Sequence, residues 1–174
     1  QSSRGTVFGV GPDQIRQAVD DLRAKGYEVP IDKEKADILV LSSTIDVLLF
    51  KDALEATVKV MNHLGADWTI HSCAFEGANF GLLSGYEEVQ KSASERITSQ
   101  AIALGAKLVI IPECGHAYPA MRWYGANEHG APLPFEVMAL SEFLGREVAE
   151  GRLQVNPIQT DQAVTYHDPC KVGR

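Results

Sequence analysis

The sequence predicts a single α/β domain, a parallel sheet with helices on both faces. Three observations predict it. Short apolar runs alternate with amphipathic helical periodicities along the chain. One of those runs, Lys107–Ile111, is apolar without a break after its lysine, the pattern of a central strand buried on both faces. At 174 residues, with 45% hydrophobic and 22% charged, the chain suits one globular domain and neither a disordered nor a membrane class.

The elements follow in order. Thr6–Val10 is a short apolar strand candidate. A helix is expected over Pro12–Lys25, with Ile15, Val19 and Leu22 on one face, proline in its first turn and Gly26 closing it. Ile38–Leu41 is the next strand; the apolar stretch it opens, Ile38 to Phe50, is interrupted by Ser42, Ser43, Thr44 and Asp46 and so reads as strand into helix, not as a membrane span. Lys51–Leu64 is a helix with Leu54, Val58 and Met61 on one face. Trp68–Ser72 is a strand, Ser92–Leu104 a helix, and Lys107–Ile111 the central strand. Tyr118–Pro134, dense in proline and glycine, is expected to be a long loop serving as a lid or docking surface, or an excursion packed by its own aromatics. Pro134 opens a further helix through Leu144, and Val164–Tyr166 is a last strand. The layers are those of Rossmann and flavodoxin-like folds, with right-handed crossovers.

The net charge of −7 offers no basic stripe, so no nucleic-acid partner is expected. The first residues have no apolar segment of the secretory kind, and three widely spaced cysteines do not form a disulfide framework. A cytoplasmic setting follows as the expectation. Gly9-Val10-Gly11-Pro12 sits where a dinucleotide fingerprint would, yet lacks the third glycine, and Pro12 removes an N–H that a phosphate would need.

An internal echo locates the candidate site. Leu64-Gly65-Ala66 and Leu104-Gly105-Ala106 each end a helix, each precedes a strand, and a cysteine follows each glycine, Cys73 after eight residues and Cys114 after nine. Cys170 follows the last strand candidate, and Ser42-Ser43 hold the matching place after Ile38–Leu41. In a parallel sheet these positions share one edge, where open α/β folds place ligands. His71, His116 and His167 lie within three residues of the three cysteines, and imidazole with thiolate suits zinc or iron. Glu76, Glu113 and Asp168 read as ordinary solvated acids. The run Glu76-Gly77-Ala78-Asn79-Phe80-Gly81 presents small residues beside Cys73, for a bulky group to approach or for a tight turn.

On these residues the chain resembles the cysteine-rich CCG domain of heterodisulfide reductase catalytic subunits, and is similar to the cytoplasmic iron–sulfur subunit of sulfite-reduction-associated membrane complexes. The resemblance is carried by Ala36–Leu41, His71–Gly85, Ile110–Pro119 and, most specifically, the run Tyr166-His167-Asp168-Pro169-Cys170-Lys171-Val172-Gly173-Arg174. It implies an oxidoreductase that passes electrons to or from thiol or disulfide substrates through a [4Fe-4S] cluster held by five thiolates per repeat. It implies as partners a second CCG repeat of the same chain and other redox subunits, with a membrane complex at whose cytoplasmic face the protein would sit. Here the family pattern is broken: Ser42-Ser43, Ser72-Cys73-Ala74 and Cys114-Gly115-His116-Ala117 stand where the lone cysteine, the cysteine pair and the Cys-x-x-Cys belong. The resemblance therefore divides the chain into a leading strand–helix unit (1–35), a degenerate first CCG domain (36–163) and the start of a second repeat (164–174), the piece of a larger protein. Cys170 is the expected iron ligand in the full-length protein, Cys73 and Cys114 are cofactor-facing or catalytic candidates, and His71, His116 and His167 are auxiliary ligand candidates. This fragment is expected to hold no complete cluster of its own. Two alternatives stay open: a cysteine-nucleophile enzyme using Cys114 with His116, and a non-catalytic docking domain of a redox complex.

Overall fold

The computed structural model describes residues 3–112, 114–157, 159–165 and 167. Four short strands, β1 (Ile38–Val40), β2 (Trp68–Thr69), β3 (Leu108–Ile111) and β4 (Glu136–Ala139), pair in the order β2-β1-β3-β4. Every pairing is parallel, with Ile38 opposite both Trp68 and Leu108, and Leu108 opposite Glu136. The order is that of flavodoxin-like sheets, in which the chain leaves the first strand to one side and returns to the other.

Successive strand residues point to opposite faces, so an unbroken apolar strand feeds two cores. On one face Val40, Leu108 and Ile110 pack with Ile15, Val19 and Leu22 of α1 (Pro12–Ala24), and with Leu54, Val58 and Met61 of α3 (Lys51–His63). On the other, Leu39, Leu41, Val109, Ile111 and Val137 pack with Ile97, Ala101 and Leu104 of α5 (Glu87–Leu104). The short helices α2 (Thr44–Leu48) and α4 (Phe80–Ser84) lie between these layers in sequence. The Leu-Gly-Ala echo has a backbone cause. Gly65 and Gly105 take φ of 60° and 70°, the left-handed turn that lets a helix end and a strand begin without a Cβ clash.

Several elements differ from the sequence expectation. Thr6–Val10 is not a strand: the Thr6 hydroxyl donates to the Val10 carbonyl (2.7 Å), and the Val7 N–H goes to the Glu76 carboxylate (2.6 Å), so its polar groups are used outside the sheet. α5 begins at Glu87 rather than Ser92, because its first turn is polar and shows no apolar period, while Glu87 and Glu88 suit the helix dipole there. The stretch from Pro134 to Leu144 is not one helix. Phe135, Val137 and Ala139 alternate with more exposed neighbours as β4, and α8 (Leu140–Ala149) follows. Tyr118–Pro134 is not a long loop: α6 (Ala117–Pro119), a π-type stretch (Ala120–Tyr124) and α7 (Gly125–His129) follow without a break, burying Tyr118 and Met121. Pro119 is tolerated because it falls in the first turn, where its missing N–H is not needed. Val164 and Thr165 are exposed and outside any strand; Tyr166 lies outside the described residues. Among the described residues no helix is long and apolar enough to cross a membrane.

Candidate functional site

The carboxyl ends of β1 and β3 lie side by side at the point where the strand order reverses, the place where open α/β sheets form a crevice. A cavity of about 270 Å³ opens there, lined by Ser42, Asp46, Leu54, Thr57, Pro112 and Leu140 among others. It is close to the lower end of the roughly 300–1,000 Å³ typical of small-molecule sites.

Beyond β1 the chain builds a buried polar knot. The Ser43 side chain caps α2, accepting from the Asp46 N–H (3.2 Å), while Asp46 accepts from the Ser42 hydroxyl (2.9 Å) and the Ser43 N–H (3.1 Å). Glu76 is buried beside it, at 7% exposure, and accepts from the Thr44 N–H (3.3 Å), the Thr44 hydroxyl (3.1 Å) and the Val7 N–H (2.6 Å). The reading of Glu76 as a solvated acid is therefore wrong. Its carboxylate is the hub that joins the N-terminal segment, α2 and the stretch after Cys73. The sequence hint was its place between the apolar pair Ala74-Phe75 and the small residues Gly77-Ala78.

Beyond β2 the hub is Asp32. It accepts from the Ser72 N–H (2.8 Å), the Ser72 hydroxyl (2.9 Å) and both Arg16 Nε (3.2 Å) and Nη2 (3.1 Å). It sits at φ 55°, a conformation Asp tolerates better than most residues. Burial pushes the Asp32 carboxyl up, but the Ser72 and Arg16 hydrogen bonds outweigh it and hold the group below the usual carboxylate range. His71 is shifted down, first by burial and then by the Arg16 charge, with Asp32 opposing. A neutral imidazole agrees with the geometry, since its Nδ1 accepts the Cys73 N–H (3.2 Å). Cys73 itself is exposed.

These shifts have a common sign. On the α1–α3 side, Glu55 is drawn down to about 2 by hydrogen bonds from Lys25, Lys59 and Tyr27. Each of the three groups has a lower pKa folded than unfolded, so the unfolded chain binds its protons first as the pH falls. Stability from His71 should decline below about pH 6.5, and that from Asp32 and Glu55 below about pH 4. The measurement is a series of urea melts between pH 7 and pH 3. Asp32→Asn should lower the midpoint at pH 7 and flatten its acid decline.

Beyond β3, Cys114 lies three residues before α6. Its sulfur accepts the Ala117 N–H (3.3 Å) and its carbonyl accepts the Tyr118 N–H (3.1 Å). The exposed His116 ring leans toward Phe80, with centroids 6.0 Å apart.

Cys73 and Cys114 thus both follow the carboxyl ends of parallel strands, with the end of β1 and its serines between them. Among the described residues no group of three or more His, Cys, Asp or Glu side chains is placed to hold a metal ion. His167 is exposed, while Glu113, Asp168 and Cys170 lie outside the described residues. The small residues after Cys73 serve the chain's own packing. A Cβ on Gly81 would meet the Gln90 backbone N at 2.3 Å, and one on Gly77 would meet Leu41 and Ala117 at 3.0 Å.

No protein-family model matches the chain, and no solved structure does. Curated proteins do match. The chain is 25% identical over 211 residues to an Hdr-like menaquinol oxidoreductase iron–sulfur subunit of Archaeoglobus profundus, covering 98% of this chain and 38% of that protein. It is 30% identical over 122 residues to a dihydromethanophenazine:CoB–CoM heterodisulfide reductase subunit of Methanosarcina acetivorans, covering 68% of this chain and 30% of that protein. It is 25% identical over 224 residues to a second Hdr-like menaquinol oxidoreductase iron–sulfur subunit, from Archaeoglobus fulgidus, covering 98% and 37%. The chain spans between 30% and 38% of the length of these relatives.

Proposed function

Because this chain is a relative of the heterodisulfide reductase-type iron–sulfur oxidoreductase subunits, we propose that it forms a degenerate CCG domain (36–163) of an electron-transfer protein that works on thiol or disulfide substrates. The observation that carries the reading is the edge on which the cysteines fall. Cys73 and Cys114 flank a β1 end where Ser42 and Ser43 stand in place of thiols and are engaged by Asp46.

The described residues by themselves do not fit an iron–sulfur cluster. Such clusters are held mainly by cysteine thiolates. Here the serines of the β1 end are turned into an internal hydrogen-bond network, Cys73 is exposed, and no three ligand-type side chains converge. The domain's part in the larger protein is accordingly that of a wall. Cys73 and Cys114, with His71 and His116, would face a cluster built by a second repeat that opens with Cys170 (164–174). Other redox subunits of a complex, at the cytoplasmic face of a membrane, would complete the electron path. Purified anaerobically, the 174-residue chain should show no stoichiometric [4Fe-4S] absorption. One full cluster per chain, by iron and sulfide assay, would overturn the view of the first repeat as degenerate.

One observation favours the cysteine-nucleophile alternative: the Cys114 sulfur accepts the backbone N–H of Ala117, the first residue of α6. A catalytic thiol needs its base, and His116 is exposed beside Phe80. In the redox-scaffold reading, iodoacetamide should alkylate Cys114 as an ordinary thiol, and His116→Ala should change that rate by less than about threefold. Fast alkylation near pH 6 that collapses in His116→Ala would promote the hydrolase-type reading.

A further inference from the structure

A second cleft, of about 440 Å³, lies away from the β1–β3 crevice, between the N-terminal segment, the start of α1 and the side of α5, with Arg4, Gly11, Asp13, Cys73 and Arg96 on its walls. Arg96 is half-buried, and among the described residues its guanidinium has neither an ion-pair partner nor a hydrogen bond. Gly5, at φ 77°, lies against it so closely that a Cβ there would meet Nη1 at 2.0 Å and Cζ at 2.8 Å. Arg4 is held by its Nη1 donating to the Gly9 carbonyl (3.0 Å), which leaves its other donors to the cleft. The acid on these walls, Asp13, is already paired with Arg16 (3.4 Å), and Arg16 in turn with Asp32 (3.1 Å). The positive end of the α1 dipole adds to the same potential. A guanidinium with no carboxylate partner among the described residues, in a cleft of ligand size, is a receptor for an anion that presents several oxygens.

We propose that this cleft binds a small-molecule oxyanion of the phosphate or sulfate type, seated on Arg96 and Arg4, with the Cys73 thiol at its edge. The site goes beyond the redox reading and does not rest on it, since nothing in its test requires a cluster. The probe is a pair of alkylating reagents that differ in charge. Rates of modification of Cys73 and Cys114 by iodoacetate and by neutral iodoacetamide are followed by peptide mass spectrometry at low salt, with Cys114 as the internal reference. The iodoacetate-to-iodoacetamide rate ratio should be about three- to sevenfold higher at Cys73 than at Cys114, the scale given by a local potential of one to two kT. Inorganic phosphate should protect Cys73 from iodoacetate with saturation, beyond the effect of sodium chloride at equal ionic strength. Arg96→Gln should erase both effects. Arg4→Gln, on an exposed side chain, should reduce them at least twofold and carries the test should Arg96→Gln misfold by circular dichroism. Equal ratios at the two cysteines, protection by phosphate no better than by chloride, or a ratio unmoved by the folded variants would overturn the proposal.

Discussion

In a longer form of this protein that carries a second CCG repeat, Cys170→Ala is expected to abolish cluster assembly, while Cys73→Ala leaves it intact. The argument is one of ligand chemistry. Iron–sulfur clusters depend on thiolates, and loss of one from a complete set leaves an iron without a strong ligand. Cys170 belongs to the run His167-Asp168-Pro169-Cys170, the most specific part of the resemblance, whereas Cys73 has serine and alanine for neighbours. Cys73 is also exposed on the far side of β1 from Cys114. Iron and acid-labile sulfide per chain should fall from about four to below one in Cys170→Ala and stay unchanged in Cys73→Ala. Loss of iron in Cys73→Ala would assign that thiol to the cluster and end the description of the first repeat as degenerate.

The other large effect is on stability. Glu76→Ala should cost about 3–5 kcal/mol, because it strands the Val7 N–H, the Thr44 N–H and the Thr44 hydroxyl, with Thr44 fully buried. A domain of this size has a total of only about 5–15 kcal/mol, so the loss is a large share. Glu76→Gln keeps the shape and one accepting oxygen, and should cost roughly half as much. Urea denaturation reads the difference, with the midpoint falling and the slope unchanged. A loss below about 1 kcal/mol would mean that the N-terminal segment is already frayed and that Glu76 holds nothing down.

Much of the fold was legible in the chain. The periods of Ile15-Val19-Leu22 and Leu54-Val58-Met61 mark α1 and α3, and the unbroken Leu108–Ile111 marks the central strand. These are local signals: a helix face or a doubly buried strand needs only its own residues to be recognised. The edge shared by Cys73 and Cys114 was legible for a similar reason, since parallel pairing alone orients every strand end the same way. The misread elements share the opposite property. Phe135, Val137 and Ala139 alternate as a strand does, but too briefly to outweigh the helical pattern that follows. The prolines and glycines of Tyr118–Pro134 suggested a loop, until packing of Tyr118 and Met121 against Val109 and Val137 kept the run helical.

The sequence by itself determined the α/β class, the positions of Cys73 and Cys114 relative to a strand and the presence of serines at the end of β1. Those are matters of residue type and short spacing. Only the tertiary structure decided what the polar residues do. Glu76 meets Val7 across 69 residues, Asp32 meets Ser72 across 40, and Arg96 is left half-buried with no carboxylate partner among the described residues. A charged side chain carries no local mark of its partner. Whether it is solvated, satisfied or waiting for a ligand depends on which distant donors the folded chain brings within hydrogen-bonding distance, where low dielectric makes each such contact count.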